Sequence, residues 1–497
     1  MYEIINSYKG YIKIKMSHIE IEGRDNYFNT GSDKKSVTYL LWGFCGLVAV
    51  LGLTTPNPFE TFIGCLIWPI LFWALWKPGE PPVLLFISFF QAVQVFTPVV
   101  VANFAGETLD QSTKYQLDMS TAFYFAALSI VVLAIGMKIG SGSASSQYLQ
   151  SVDKNSQELN ASKLAVVYAI FLVISTFLES IAFAYPALTQ LLLGIASFRG
   201  FTVFLIAWAG FRYPRFYFLA ICTIALEIVI GFTGFFGEFR FVLFLVLVVY
   251  GATNVRVSKL IKPQALILVS LLLALTVYWQ GVKSDYRSFV NQGTSTQTVQ
   301  VSLEDRLSFY ADSFGEFGTE DVEKGFESGL DRLGYITFFA GSIKTVPSII
   351  PYQDGRLWSE AFANLVPRFL FPDKPVIEDS RRTNIFSGFR VSGAAQGTSI
   401  SIGYVGESYI DFGFPLMYAP ILALGFFWGW IYRLLSNTGS VQLLGQAAAT
   451  VLIINIASQF ESSNLKLLAG TVISLLIYLV FLRFFGKFVW KWLTSKY

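Results

Sequence analysis

The stretch Pro82-Val-Leu-Leu-Phe-Ile-Ser-Phe-Phe-Gln-Ala-Val-Gln-Val-Phe-Thr-Pro-Val-Val-Val-Ala-Asn-Phe104 contains no charged side chain. About 20 apolar residues in a helix span the roughly 30 Å hydrocarbon core of a bilayer, so this run is long enough to cross one. Similar apolar runs fall near 36–54, 59–77, 119–140, 163–185, 188–211, 215–236, 239–255, 263–283, 409–434, 441–460 and 465–488. Arg199 interrupts 188–211, and 215–236 is tightly followed by 239–255, which leaves room for broken or re-entrant helices there.

Composition points the same way. Of 497 residues, 54% are hydrophobic, 17% aromatic and 14% charged. An ordinary soluble domain carries roughly 25% charged residues. The mean hydropathy is +0.55. Lipid must therefore be the solvent for much of the chain. The pattern predicts an all-α polytopic membrane protein with about twelve transmembrane helices and one large external, partly helical loop.

The net charge of +3 is too small for a nucleic-acid binder. The one histidine, His18, lies in the polar N-terminal tail, which argues against a histidine-based triad, a zinc hydrolase or histidine-ligated haem. Cys45, Cys65 and Cys222 sit inside apolar runs and read as small buried residues. The sequence has no Asp-x-Asp or histidine-rich metal signature, so no cofactor is expected.

Lys and Arg alternate between successive short connections. Lys77, Lys138, Lys154, Arg212, Arg215, Arg256, Lys259, Lys262, Arg433 and Arg483 share a side with the basic N-terminal tail, while the opposite short connections hold only Lys114. Positive loops stay in the cytoplasm. The expected organisation is a cytoplasmic tail (1–35), helices one to nine (36–283), an external loop (284–408), and three last helices with a short cytoplasmic tail (409–497). A loop of that length is usually functional. Ser302 ahead of Leu-Glu-Asp305 reads as a helix N-cap, and 320–347 as an amphipathic helix with Phe326, Leu330, Leu333 and Ile336 on one face.

Charges inside apolar runs are costly in lipid and normally face a cavity or a partner. Here they are Glu179, Arg199, Glu227, Glu238, Arg240, Lys283, Asp285 and Arg287. Each taken singly can also be a snorkelling or structural charge. Glu238 and Arg240 follow a glycine-rich turn at the predicted external edge. In the loop, Val366-Pro-Arg-Phe-Leu-Phe-Pro-Asp-Lys-Pro375 presents Arg368 and Lys374 from a backbone stiffened by proline. Arginine suits phosphate oxygens because its fork donates two parallel hydrogen bonds. Further on, Gly397-Thr-Ser-Ile-Ser-Ile-Gly-Tyr-Val-Gly-Glu-Ser-Tyr-Ile-Asp-Phe-Gly413 places Glu407 and Asp411 four residues apart, on one face of a helix.

The 366–375 and 403–413 stretches, together with the many-helix layout and single large late loop, resemble the Wzy-like oligosaccharide repeat-unit polymerases, the O-antigen polymerase group. That resemblance implies a GT-C-like membrane glycosyltransferase at the outer face of a bacterial inner membrane. Its substrates, donor and acceptor, are polyprenyl-diphosphate-linked oligosaccharides. The expected setting is membrane lipid, with a chain-length regulator as a further partner and no nucleic acid. The leaving diphosphate needs cations, for which Arg240, Arg287, Arg368 and Lys374 are the candidates, with Arg199 a deeper fifth. The attacking hydroxyl needs a base, for which Glu407 is the first candidate and Asp411 and Glu238 the reserves. A glycan ligase would share this chemistry. A transporter or flippase of lipid-linked glycans would use the same cations without it, but transporters often carry internal repeats and none is visible here.

Overall fold

The structure, a computed structural model, describes residues 30–113, 115–142, 159–182, 185, 188–235, 237–253, 263–294, 299–365, 378–393, 398–439 and 441–495. Every regular element among them is helical. Ten helical stretches are long and apolar enough to cross a membrane, and two more apolar helices, Phe239–Thr253 and Gln442–Ala457, are shorter. The protein is therefore an all-α polytopic membrane protein.

The first part of the chain contributes α1 (Thr30–Gly52), α2 (Pro58–Leu75), α3 (Val83–Ala105), α4 (Met119–Ser141) and α5 (Ala161–Ala182). It continues through α6 (Thr189–Ala196), α7 (Phe198–Arg212), α8 (Tyr217–Thr233), α9 (Phe239–Thr253) and α10 (Pro263–Val290). The long connection holds α11 (Leu303–Glu316), α12 (Thr319–Leu333), α13 (Ile336–Thr345), α14 (Arg356–Ala363), α15 (Asp379–Ser387) and α16 (Tyr404–Phe412). Last come α17 (Tyr418–Asn437), α18 (Gln442–Ala457) and α19 (Asn464–Val480), which runs on through a π-helical turn, Phe481–Phe485, into α20 (Gly486–Thr494).

Helices α7 and α18 are buried on nearly every side and form the centre of the bundle. A helix that is apolar all round needs such a place. Against this centre, α4 and α17 cross at very close range. A Cβ at Gly136 would lie 2.3 Å from the Leu422 carbonyl oxygen, and one at Gly425 would lie 2.2 Å from that of Leu133. Gly140 and Gly429 repeat the arrangement one turn on. Paired glycines at this spacing let two backbones touch, which in lipid replaces the missing hydrophobic drive between helices.

Helix ends meet as alternating spans require. On one face, Lys77 Nζ donates to the Ser141 carbonyl at 3.1 Å, and the Asn160 N–H to the Leu493 carbonyl at 3.0 Å. On the other, here the loop face, Asn57 Nδ2 donates to Asn103 Oδ1 at 2.8 Å and the Tyr286 hydroxyl to the Thr233 carbonyl at 2.8 Å.

Several expected elements are broken or extended. The run 188–211 bends at Ser197, whose hydroxyl turns back to the Gly194 carbonyl and meets Tyr478. The run 263–283 continues to Val290, so Lys283, Asp285 and Arg287 ride on its last turns. The amphipathic 320–347 divides at Gly334 into an exposed α12 and a largely buried α13. Ser302 caps α11 by accepting the Asp305 N–H, as expected. The run 409–434 is interrupted at Gly413, where φ is +63° and the Tyr352 ring leaves no room for a Cβ. Glu407 and Asp411 consequently sit on α16, a separate short helix.

That short helix is tied into the bundle. The Tyr404 N–H donates to the Ser462 carbonyl at 2.8 Å, and its hydroxyl reaches Gln91 Oε1 at 2.7 Å. Gln91 Nε2 donates to the Ala457 carbonyl at 2.8 Å, and Gln94 Oε1 accepts the Phe460 N–H at 2.9 Å. Both glutamines lie in the middle turns of α3. The turn between α18 and α19 and the start of α16 are thus held against the middle turns of α3. Two buried amides satisfy backbone groups that lipid could not.

Candidate functional site

Two polar centres lie toward the loop face. The first is cationic. Arg240 opens α9, Lys283 and Arg287 close α10, and Arg332 closes α12. Helix α12 lies tightly on α10, because a Cβ at Gly325 would be 2.3 Å from the Val277 carbonyl oxygen. That contact brings Arg332 within electrostatic reach of Arg240, Lys283 and Arg287. The Arg287 guanidinium donates to the Phe235 carbonyl at 3.2 Å and stacks 5.1 Å from its ring. Among the described residues, Glu461 is the acid that answers Arg240, and its carboxylate already accepts from Gln94 at 2.6 Å.

Beside this group, Arg199 is committed elsewhere. Its Nε lies 2.8 Å and 3.0 Å from the two Glu227 oxygens, and Nη2 is 2.8 Å from one of them. The Tyr168 hydroxyl donates to the same carboxylate at 2.6 Å. A guanidinium so paired within the membrane has little charge to offer a ligand. Glu238 faces this pair from the α8–α9 turn. It is surface-exposed, yet crowding by protein raises its carboxyl above the ordinary value, against the pull of Arg199.

The second centre is buried between α14, α15, α16 and the N-terminus of α19. Glu407 is 1% exposed. One oxygen accepts the Asn464 N–H at 2.8 Å; the other faces Arg382 Nη1 at 3.6 Å. Arg382 also bonds Glu360, which Arg356 pairs at 2.9 Å. Asp379 pairs with Lys466 at 2.8 Å and accepts from Ser463 at 3.2 Å. Burial and the Asp379 charge push the Glu407 carboxyl up to about 8, with Arg382 and the Asn464 N–H opposing. Glu407 therefore holds its proton at neutral pH.

Asp411 has a different task. Its two oxygens accept the Leu357 and Trp358 N–H groups at 3.0 Å and 2.9 Å. It caps α14, whose own N-cap is Gly355, from more than fifty residues away in sequence. Burial raises its carboxyl, and these two N–H groups counteract.

Of the sequence candidates, the structure gathers Arg240 and Arg287, ties Arg199 into an ion pair, exposes Glu238 and buries Glu407 and Asp411. Arg368 and Lys374 lie outside the described residues. Sequence reasoning passed over Arg332, Arg382, Glu360, Asp379, Asn464 and Lys466 as site residues. The polar run Glu461-Ser-Ser-Asn464-Leu-Lys466 between two apolar spans was the available signal for the last two. Tyr335 connects the centres, since its hydroxyl feels Glu461, Arg332 and Asp379.

Fold and site thus define a polytopic helical membrane protein with a cation cluster and a buried ion network on one face. The chain belongs to a family described as a domain of unknown function, DUF8712, whose match covers residues 94–487. No curated protein and no solved structure matches the chain.

Proposed function

We propose that the protein joins polyprenyl-diphosphate-linked oligosaccharide repeat units at the outer face of a bacterial inner membrane, with both termini in the cytoplasm. The observation that carries this reading is the group Arg240, Lys283, Arg287 and Arg332, drawn from three helices, with Glu461 as the acid that answers Arg240. Like charges are not gathered at a membrane edge without cost, and a diphosphate is the anion that offsets it.

The reaction follows from these groups. A hydroxyl of the acceptor glycan attacks the anomeric carbon of the donor. The bond from that carbon to the diphosphate oxygen breaks, and the diphosphate departs on its lipid with the bonding electrons. The cations stabilise the charge that develops there. The hydroxyl proton passes to a carboxylate. Glu238 is the accessible one of the three candidates, and its raised carboxyl moves toward the range that suits a general base. Glu407 and Asp411, with oxygens engaged by the protein, shape the site.

The test is reconstitution in proteoliposomes with a defined polyprenyl-diphosphate oligosaccharide. A ladder of lengthened glycans supports polymerisation. Transfer of the glycan to a different acceptor alone identifies a ligase. Unaltered lipid crossing the bilayer identifies a transporter, and either result removes the proposal.

A further inference from the structure

The buried centre holds four polar atoms that make no hydrogen bond: Asn464 Nδ2 and Oδ1, Asp379 Oδ1, and Arg382 Nη1, whose nearest acid is the Glu407 oxygen 3.6 Å away. Asn464 is 0% and Asp379 4% exposed. A buried polar group left unmet costs about 1–3 kcal/mol. Four in one place call for an occupant.

The four atoms state its chemistry. Asn464 Nδ2 and Arg382 Nη1 must donate, while Asn464 Oδ1 and Asp379 Oδ1 must accept. The occupant therefore needs both donors and acceptors. Charge narrows the choice further. Asp379, Glu360 and Asp411 balance Lys466, Arg382 and Arg356, while burial pushes the Glu407 carboxyl up to about 8. An anion would meet carboxylates here, and a cation would meet Arg382 and Lys466. A neutral hydroxyl or amide group suits the site. The network also reaches the surface, because the Lys466 side chain is 47% and that of Glu360 35% exposed.

The geometry points to a second ligand subsite, formed by Asn464, Asp379, Arg382 and Glu407, that takes a neutral hydroxyl- or amide-bearing sugar group. Resting on the polymerase reading, this is the place of the acceptor glycan, apart from the cations that hold the donor's diphosphate. Such a division separates the two substrates by charge.

Hydrogen–deuterium exchange in nanodiscs tests it, with galactose, mannose, rhamnose and N-acetylglucosamine as one set of probes and pyrophosphate as another. We expect at least one sugar to protect α15, α16 and the α18–α19 turn, and pyrophosphate to protect α9, the end of α10 and the end of α12. Asn464→Leu keeps the volume but removes both partners, and should raise the sugar's half-saturation about tenfold or more. Asp379→Asn, close in shape, is the second variant if Asn464→Leu does not fold, and should also weaken the sugar. Protection by pyrophosphate with none by any sugar overturns the subsite and leaves the functional reading standing. Protection by sugar with none by pyrophosphate does the reverse. Water alone at the four atoms in a structure determined with sugar present also overturns the subsite.

Discussion

Arg382 Nη1 stops 3.6 Å from Glu407 Oε1, while another nitrogen of the same guanidinium bonds Glu360. The cation is shared between an outer acid and an inner one, and burial raises the carboxyl of the inner acid. Folding is thereby linked to pH.

Glu407 should make the protein less stable as pH rises. Its carboxyl ordinarily titrates near 4.5 and in the folded protein near 8. Between those values the folded state holds a proton that the unfolded state has lost, so raising pH favours unfolding. Stability from this group is full below 4.5, declines up to about 8, and is level beyond. Asp379, Arg382 and Asp411 are the charges that face it. Thermal unfolding in detergent across this range should show the decline, and Glu407→Gln should flatten much of it. An unchanged slope in the variant would assign the dependence to other groups.

The α4–α17 crossing should tolerate no added carbon. Gly425→Ala would press a Cβ onto the Leu133 carbonyl oxygen, a backbone atom that cannot swing away. Overpacking of this kind costs about 1–3 kcal/mol. Gly43→Ala is the control, because nothing lies within 4 Å of its Cβ position. Unfolding midpoints should fall for the first and hold or rise for the second.

Breaking the Arg199–Glu227 pair should hurt folding more than ligand binding. Removing one partner of a buried pair typically costs about 3–5 kcal/mol, since the other charge is left unpaired. Arg199→Met should therefore lower stability sharply, and Arg199→Met with Glu227→Gln should recover much of it. The recovered double variant should bind pyrophosphate as the unaltered protein does. Loss of binding in a well-folded double variant would return Arg199 to the diphosphate site.

Much of the fold could be read from the chain, because each apolar run declares its own span. The breaks could not. Gly413 and Ser197 end helices through contacts with Tyr352 and Tyr478, which are distant in sequence. The pairing of Gly136 with Gly425 is equally invisible until the helices meet. Arg240 and Arg287 were legible as cations at one membrane level. Arg332 was hidden at the end of an acidic helix, where it reads as an ordinary surface charge. Glu407 was singled out as the first candidate base; the structure buries it with one oxygen on the Asn464 N–H, and no local pattern foretells that bond.

The cation cluster should respond to charge with a definite sign. Arg240→Ala or Arg332→Ala should each weaken pyrophosphate binding about tenfold, and added salt should weaken it further. Glu461→Gln removes the acid that answers Arg240 and should tighten binding. Calorimetric titration in nanodiscs measures all three. Tighter binding on loss of an arginine would contradict the assignment.

The most direct measurement is the stoichiometry of the reconstituted reaction. Purified protein with one defined polyprenyl-diphosphate oligosaccharide should release one polyprenyl diphosphate for each new glycosidic bond, and Glu238→Gln should slow both together by roughly 10²–10⁴. Lipid that crosses the bilayer with its glycan intact and no diphosphate released would contradict the account.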